Sequence, residues 1–208
     1  MKNEKMLELL YQARKGELTP IECDKYIEKL KEDIALEGCK DNTEKGMVRA
    51  CTKLLKSKPC TIRPVLQKAC VQNIKGTDHL CLTDSYRAVY LKKFIDIPTH
   101  EGEDTEKYPI MERVIPNWDS IGKQTVKYKD MNTLCKQTER EKEGIKLVTF
   151  TVGSQKINFN LEYLVDMFKM LGSNELEIEF YGVYKPLILR PTDNDNGFGL
   201  MVPVRSYD

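Results

Sequence analysis

The polar and apolar positions change period several times along the chain, and each period predicts an element. Residues 4–14 bring Met6, Leu9, Leu10 and Ala13 round at helical spacing, and Gly16 closes the segment. Thr19-Pro20-Ile21-Glu22 has the form of a capping box with proline at the first helical position. The helix it opens runs through Ile27, Leu30 and Ile34 to Gly38. After the linker CKDNT (39–43), Met47, Cys51, Leu54 and Leu55, joined by Val48, form one face of a helix over about 44–57, which Pro59 stops. TIRPVLQKACVQN then reads as a strand, Lys75-Gly76-Thr77-Asp78 as a turn, and 79–95 as a single long strand, followed by an acidic loop at 96–106.

The second half repeats this plan. QTVKYK reads as a strand, and DMNTLCKQTEREKE as a helix capped by Asp130. KLVTFTVGS and QKINFN form a hairpin through Gly153-Ser154, and LEYLVDMFKML is an amphipathic helix capped by Asn160 and ended by Gly172. ELEIEFY alternates acid and apolar residues as a half-buried strand does; KPLILRP and GFGLMVPVR are two more strands. Asp193-Asn194-Asp195-Asn196-Gly197 joins them as a hairpin turn. It fails as a calcium loop, because Gly197 falls one place early and Pro203 lies near where the bidentate Glu is needed. Helix then strands, twice over, predicts an α+β fold of two half-units, about 44–95 and 107–208, each with a helix on an antiparallel sheet. A helical hairpin at 1–40 precedes them.

Composition narrows the function. The chain has 208 residues, 33 basic and 32 acidic, for a net charge of +1, so any nucleic-acid contact has to come from a local patch. Lys45, Arg49, Lys53 and Lys56 share one helix face; they are either a solvated face or a DNA-facing stripe. No apolar run approaches a membrane span, and the charged N-terminal stretch is unlike a signal peptide. Seven cysteines, an odd number without a C-x-x-C, read as buried thiols in a reducing cytoplasm. Two histidines, no G-x-S-x-G, P-loop, H-E-x-x-H or G-x-G-x-x-G, and no carboxylate cluster beside Asp84 or Asp130 argue against an enzyme, a metal site or a cofactor. His79 with Cys81 reads as ordinary strand residues, since no second pair of ligands accompanies them.

One stretch does not fit the plan. In HLCLTDSYRAVYL (79–91), five hydrogen-bonding side chains, Thr83-Asp84-Ser85-Tyr86-Arg87, interrupt a strand pattern without the Gly or Pro of a turn, which suggests that the block lines a site. Three ordered segments give it a context. They are Arg63-Pro64-Val65-Leu66 followed by LCLTDSYRA, then Tyr108-Pro109-Ile110-Met111-Glu112-Arg113-Val114-Ile115-Pro116, then residues 157–191 ending in Leu200-Met201-Val202-Pro203-Val204-Arg205. Together they resemble the bacterial sliding clamp, the beta subunit of DNA polymerase III, in a reduced, phage- or mobile-element-type form. The hairpin pattern LLYQARKGELTPIECDKYIEKL is similar to short SHOCT-type hairpins.

The resemblance implies a DNA-clamp-like fold and a pocket for short linear peptides of polymerases or repair proteins. By motif position Leu66, Thr83, Ser85, Tyr86, Arg87 and Ala88 form one wall, Pro109, Arg113 and Val114 the junction, and Pro186, Leu200, Val202, Pro203 and Arg205 the other wall. For Leu66, Leu200 and Val202, plain core packing is an equal reading. Tyr86 stands where the family commonly has His, and Val202 where it has Met. Only 20 residues separate Arg87 from Tyr108, so half of the family's middle domain is missing. The implied function is a non-enzymatic peptide-binding module of replication or repair. The alternative is a processivity clamp that encircles duplex DNA as a homo-oligomeric ring.

Overall fold

The structure, a computed structural model, describes residues 6, 8, 9, 11–13, 15–140 and 144–205. Leu10 of the first expected helix and residues 141–143 of a later one lie outside that set. The chain divides into two compact units, residues 1–39 and 40–208.

In the first unit, α1 is helical at residues 6, 8, 9 and 11–13. Gly16 turns the chain with φ +70°, a left-handed conformation that suits glycine. Then α2 runs Pro20–Gly38. Its capping box is formed: Glu22 N–H donates to Thr19 Oγ1 at 3.3 Å, and Thr19 N–H to Glu22 Oε2 at 2.9 Å.

In the second unit, α3 (Asn42–Leu55) begins before the expected Glu44. The Asp41 carboxylate accepts from Glu44 N–H at 2.8 Å, so part of the expected linker is helical. The strand expected from Thr61 is not formed at first. Pro59 opens a short helix, α4 (Lys58–Ile62), and Pro64 a 3₁₀ turn, Pro64–Gln67; proline is suited to a first helical turn, where its missing N–H costs nothing. Pairing starts only at β1 (Cys70–Ile74). The expected strand 79–95 is two strands, β2 (Thr77–Thr83) and β3 (Arg87–Leu91), folded back on each other.

Beyond a loop with 3₁₀ turns at Gly102–Lys107 and Met111–Val114 come β4 (Gly122–Lys127) and α5 (Tyr128–Gln137). Asp130 is not a cap. It sits in the first turn of α5, whose N-cap Lys127 makes no capping side-chain bond, and there its charge meets the positive end of the helix dipole. The hairpin β5 (Leu147–Val152) and β6 (Gln155–Asn160) leads into α6 (Leu161–Met170), capped by Asn160 as expected. Three strands follow, β7 (Glu175–Phe180), β8 (Leu187–Pro191) and β9 (Gly197–Met201).

The two halves do not keep separate sheets. One antiparallel sheet runs β1-β2-β3-β9-β8-β7-β4, with β5-β6 a second, two-stranded sheet. The halves join where β3 pairs β9, Ala88 opposite Leu200. Alternate residues of a strand face opposite ways. Leu82, Val89, Gly199, Leu189 and Ile178 therefore form one cross-strand row on the face that α6 covers. Gly199 leaves room there: a Cβ would lie 3.0 Å from the Met167 side chain of α6, which would have to give way by a few tenths of an ångström. Helices α3 and α6 pack on each other, and Met47, Leu54, Leu164, Met167 and Phe168 are fully buried. Each such side chain contributes roughly 1.5–3 kcal/mol. The fold is α+β, antiparallel sheet with helices on one face. Among the described residues no helix is long and apolar enough to cross a membrane.

Candidate functional site

The polar block Thr83–Arg87 is a turn built without glycine or proline. Ser85 takes the left-handed conformation, φ +76°. Two side chains supply what glycine would otherwise make easy. Asp84 Oδ1 accepts from the backbone N–H of Tyr86 and of Arg87, each at 3.0 Å. Thr83 Oγ1 accepts from Ser85 N–H at 3.0 Å and donates to the Arg87 carbonyl at 2.9 Å. From outside, Arg63 NH1 donates to Ser85 Oγ at 3.1 Å.

Arg87 anchors this turn from below. Its side chain is 3% exposed; Nε donates to Asp84 Oδ2 and NH1 to Asp166 Oδ2 of α6, both at 3.0 Å. The guanidinium lies 4.1 Å over the Tyr163 ring. Lys53 of α3 closes the set, with Nζ 3.0 and 2.8 Å from the two Asp166 oxygens. Two cations and two carboxylates balance, as buried charge requires. Burial disfavours the Arg87 charge, but the two carboxylates outweigh it and raise its pKa. Burial also raises the Tyr163 hydroxyl pKa, with Asp84 adding to it. Arg87 thus holds the turn, with Nε and NH1 already engaged.

What the turn presents is Tyr86, 51% exposed. Its carbonyl accepts from Val202 N–H at 3.0 Å, and Val204 N–H bonds the Asn158 carbonyl at 2.8 Å, which ties the 202–205 segment beside it. Val202 is 38% exposed. Behind them Thr83, Ala88, Leu200 and Ile188 form a cross-strand row on the face opposite α6. Leu200 and Leu66, 4% and 2% exposed, are core side chains.

The segment from Tyr108 lies on that same face. Gln72 Nε2 donates to the Pro109 carbonyl and Gln72 Oε1 accepts from Met111 N–H, both at 2.8 Å, while Tyr90 OH donates to the Met111 carbonyl at 2.9 Å. Pro109, Arg113 and Val114 are exposed on it, Pro186 and Pro203 are half-buried, and Arg205 is exposed. The residues the structure ties together are thus Thr83, Ser85, Tyr86, Arg87, Ala88, Leu200 and Val202. A cleft of about 330 Å³ at the far end of the strands, lined among others by Ile74, His79, Arg190 and Phe198, includes none of the expected site residues.

The carboxylates of the network are what the sequence reading missed. Asp84 two and three residues before bonded N–H groups is the signal of an Asx turn. Asp166 is an acid inside the apolar run LVDMF, which asks for a buried partner. On α3, Arg49, Lys53 and Lys56 are exposed and Lys45 is half-buried. Among the described residues no group of three or more His, Cys, Asp or Glu is placed to hold a metal.

Part of the chain and its fold are similar to known proteins. Residues 126–205 match the family model of the DNA polymerase III beta subunit, C-terminal domain. A 66-residue stretch is 39% identical to the beta sliding clamp of Staphylococcus epidermidis, covering 32% of this chain and 18% of that protein. The chain thus spans under a fifth of the length of this curated relative. The fold resembles that of the Bacillus subtilis DNA polymerase sliding clamp, with TM-score 0.57 at 17% identity over 79% of this chain and 62% of that one. It also resembles the Helicobacter pylori beta clamp bound to DNA ligase peptide, with TM-score 0.55 at 12% identity over 78% and 63%. Residues 126–205 are thus similar to the C-terminal domain of the DNA polymerase III beta subunit, and the fold resembles that of the bacterial sliding clamps.

Proposed function

We propose that this chain is a non-enzymatic peptide-binding module of DNA replication or repair, which takes short linear segments of polymerases or repair proteins at the Tyr86–Val202 edge. The observation that carries this reading is the bond from Val202 N–H to the Tyr86 carbonyl at 3.0 Å. It holds two exposed apolar side chains from opposite halves of the chain side by side. The buried network beneath, Arg87 with Asp84 and Asp166, fixes the turn before any ligand arrives, so little ordering cost falls on the protein. The Helicobacter pylori relative holds a DNA ligase peptide, which supports the same class of ligand here.

In this reading Tyr86, Val202 and Val114 meet the apolar anchors of the peptide, Leu66, Ala88 and Leu200 back them, and Arg87 acts through the turn. Ser85, Pro109, Arg113, Pro186, Pro203 and Arg205 edge the surface, where hydroxyl and guanidinium groups bond the peptide backbone and its terminal carboxylate. Burying one Leu and one Phe contributes roughly 3–6 kcal/mol before ordering costs. A micromolar affinity needs about 8 kcal/mol net, so the bonds to the peptide backbone and its carboxylate have to supply the remainder. The test is fluorescence anisotropy with a labelled clamp-binding peptide ending in an apolar anchor. Saturable binding at micromolar protein supports the reading, and none at tenfold higher protein contradicts it.

A further inference from the structure

The α2 helix, in the first unit, carries a second surface. Along its 19 residues only Ala35 is buried. Cys23, Ile27, Leu30 and Ile34 fall at spacings of four, three and four, the a/d repeat of a coiled-coil seam. Two of the four positions are open, Ile27 at 51% and Ile34 at 55% exposed, and Cys23 and Leu30 are half-buried. Isolated apolar side chains on a surface are ordinary, but a heptad stripe along one helix marks a packing face.

The charges beside the seam choose the occupant. With Ile27 and Ile34 at a and Cys23 and Leu30 at d, the e positions are Asp24 and Lys31, both exposed and of opposite sign. Two copies of α2 laid antiparallel about the midpoint of Ile27 and Leu30 set Ile27 against the partner's Leu30, and Cys23 against the partner's Ile34. The same register puts Asp24 against the partner's Lys31, and by symmetry Lys31 against the partner's Asp24, so the pair is made twice. A parallel alignment instead sets Lys31 beside the partner's Tyr26 and Asp24 beside the partner's Thr19, and makes no ion pair. Flanking charges of this kind set partner and orientation in helix pairs, and a self-complementary patch gives a closed two-fold dimer rather than an open chain.

We infer that α2 is a homodimerisation helix, which pairs antiparallel with α2 of a second copy of this chain. The dimer carries two Tyr86 edges. This does not depend on what those edges bind.

Sedimentation equilibrium on the full chain across micromolar concentrations tests the inference. The wild type is expected to be a dimer. Asp24→Lys and Lys31→Asp, each alone, should weaken dimerisation at least tenfold, because each sets like charges together twice. The double variant Asp24→Lys/Lys31→Asp should restore it, since the pairs reform with signs exchanged. Both positions are exposed, so these changes leave the helix intact. Ile27→Asp should give a monomer with unchanged melting of the 40–208 unit. Orientation has its own readout. In the antiparallel pair Cys23 lies roughly 16 Å along the axis from the partner's Cys23. Mild oxidation of wild type should therefore give no Cys23–Cys23 link, while Ile34→Cys should give a covalent dimer through Cys23. A monomeric wild type overturns the inference. So does an assembly that persists in Ile27→Asp, or a double variant no better than the single ones.

Discussion

Arg87 Nε and Asp84 Oδ2 lie 3.0 Å apart beneath a turn that contains neither glycine nor proline, and neither side chain reaches solvent beyond a few per cent. The same aspartate, through its other oxygen, accepts the two backbone N–H groups that close the turn. One side chain therefore sets both the backbone of the β2–β3 connection and the charge state beneath it.

Removing Asp84 should be costly. Asp84→Ala strips the turn of two acceptors and leaves Arg87 with Asp166 as its remaining carboxylate. Breaking a buried pair costs about 3–5 kcal/mol. Lys53→Ala removes a bond to the same network, but Lys53 is 65% exposed and the loss should stay below about 1 kcal/mol. Urea denaturation of the two variants side by side checks the contrast. Equal losses would mean that the buried arm is not the stronger one.

The backbone at Ser85 makes a separate prediction. At φ +76° a β-branched side chain is strained. Ser85→Val should destabilise by roughly 1–2 kcal/mol, and Ser85→Gly should be within about 1 kcal/mol of wild type. Melting temperatures of both variants, with the Arg63→Ala control to remove the side-chain bond to Ser85, measure it.

Thiol chemistry reads out the core. Burial pushes the pKa of Cys51 and Cys81 up to about 12 and raises those of Cys60 and Cys70. A raised thiol pKa means that stability is intact below the unfolded value near 9 and falls as pH rises toward 12, because the unfolded chain loses its protons first. At pH 8 alkylation of the native protein should label Cys39 and Cys135, which are half-buried, well before the four buried thiols. Mass spectrometry of timed samples decides the order.

Much of this architecture is written in the sequence, and the exceptions share a cause. The alternation of half-buried and buried side chains along β7 follows directly from that of ELEIEF, and Asn160 and Thr19 cap helices as their positions suggest. The β2–β3 turn was hidden because hydrogen bonds from Asp84 and Thr83 do the work usually signalled by glycine or proline. The 58–67 helical turns were hidden because Pro59, read as a helix stop, and Pro64, read within a strand, each open a helical turn instead. The single seven-stranded sheet was hidden because pairing between β3 and β9 links residues far apart in the chain, which local periodicity cannot report. Within the site, motif order alone could not separate the exposed Tyr86 and Val202 from the buried Leu66 and Leu200; burial depends on what packs above them.

That separation gives a further test. Tyr86→Ala should weaken peptide binding about tenfold, a loss of about 1.4 kcal/mol, with the melting temperature unchanged. Leu66→Asp should instead unfold the 40–208 unit, since it places a charge in the core. Anisotropy titrations paired with thermal melts separate the two kinds of loss.

The most direct measurement of the central claim is amide chemical-shift mapping of the labelled protein during titration with an unlabelled clamp-binding peptide. The account predicts saturable shifts at Tyr86, Arg87, Ala88 and Val202, with Val114 following, and that Val202→Asp abolishes them while the rest of the spectrum is preserved. Shifts confined to other surfaces, such as the His79–Phe198 cleft, or a spectrum that Val202→Asp leaves equally responsive, would contradict it.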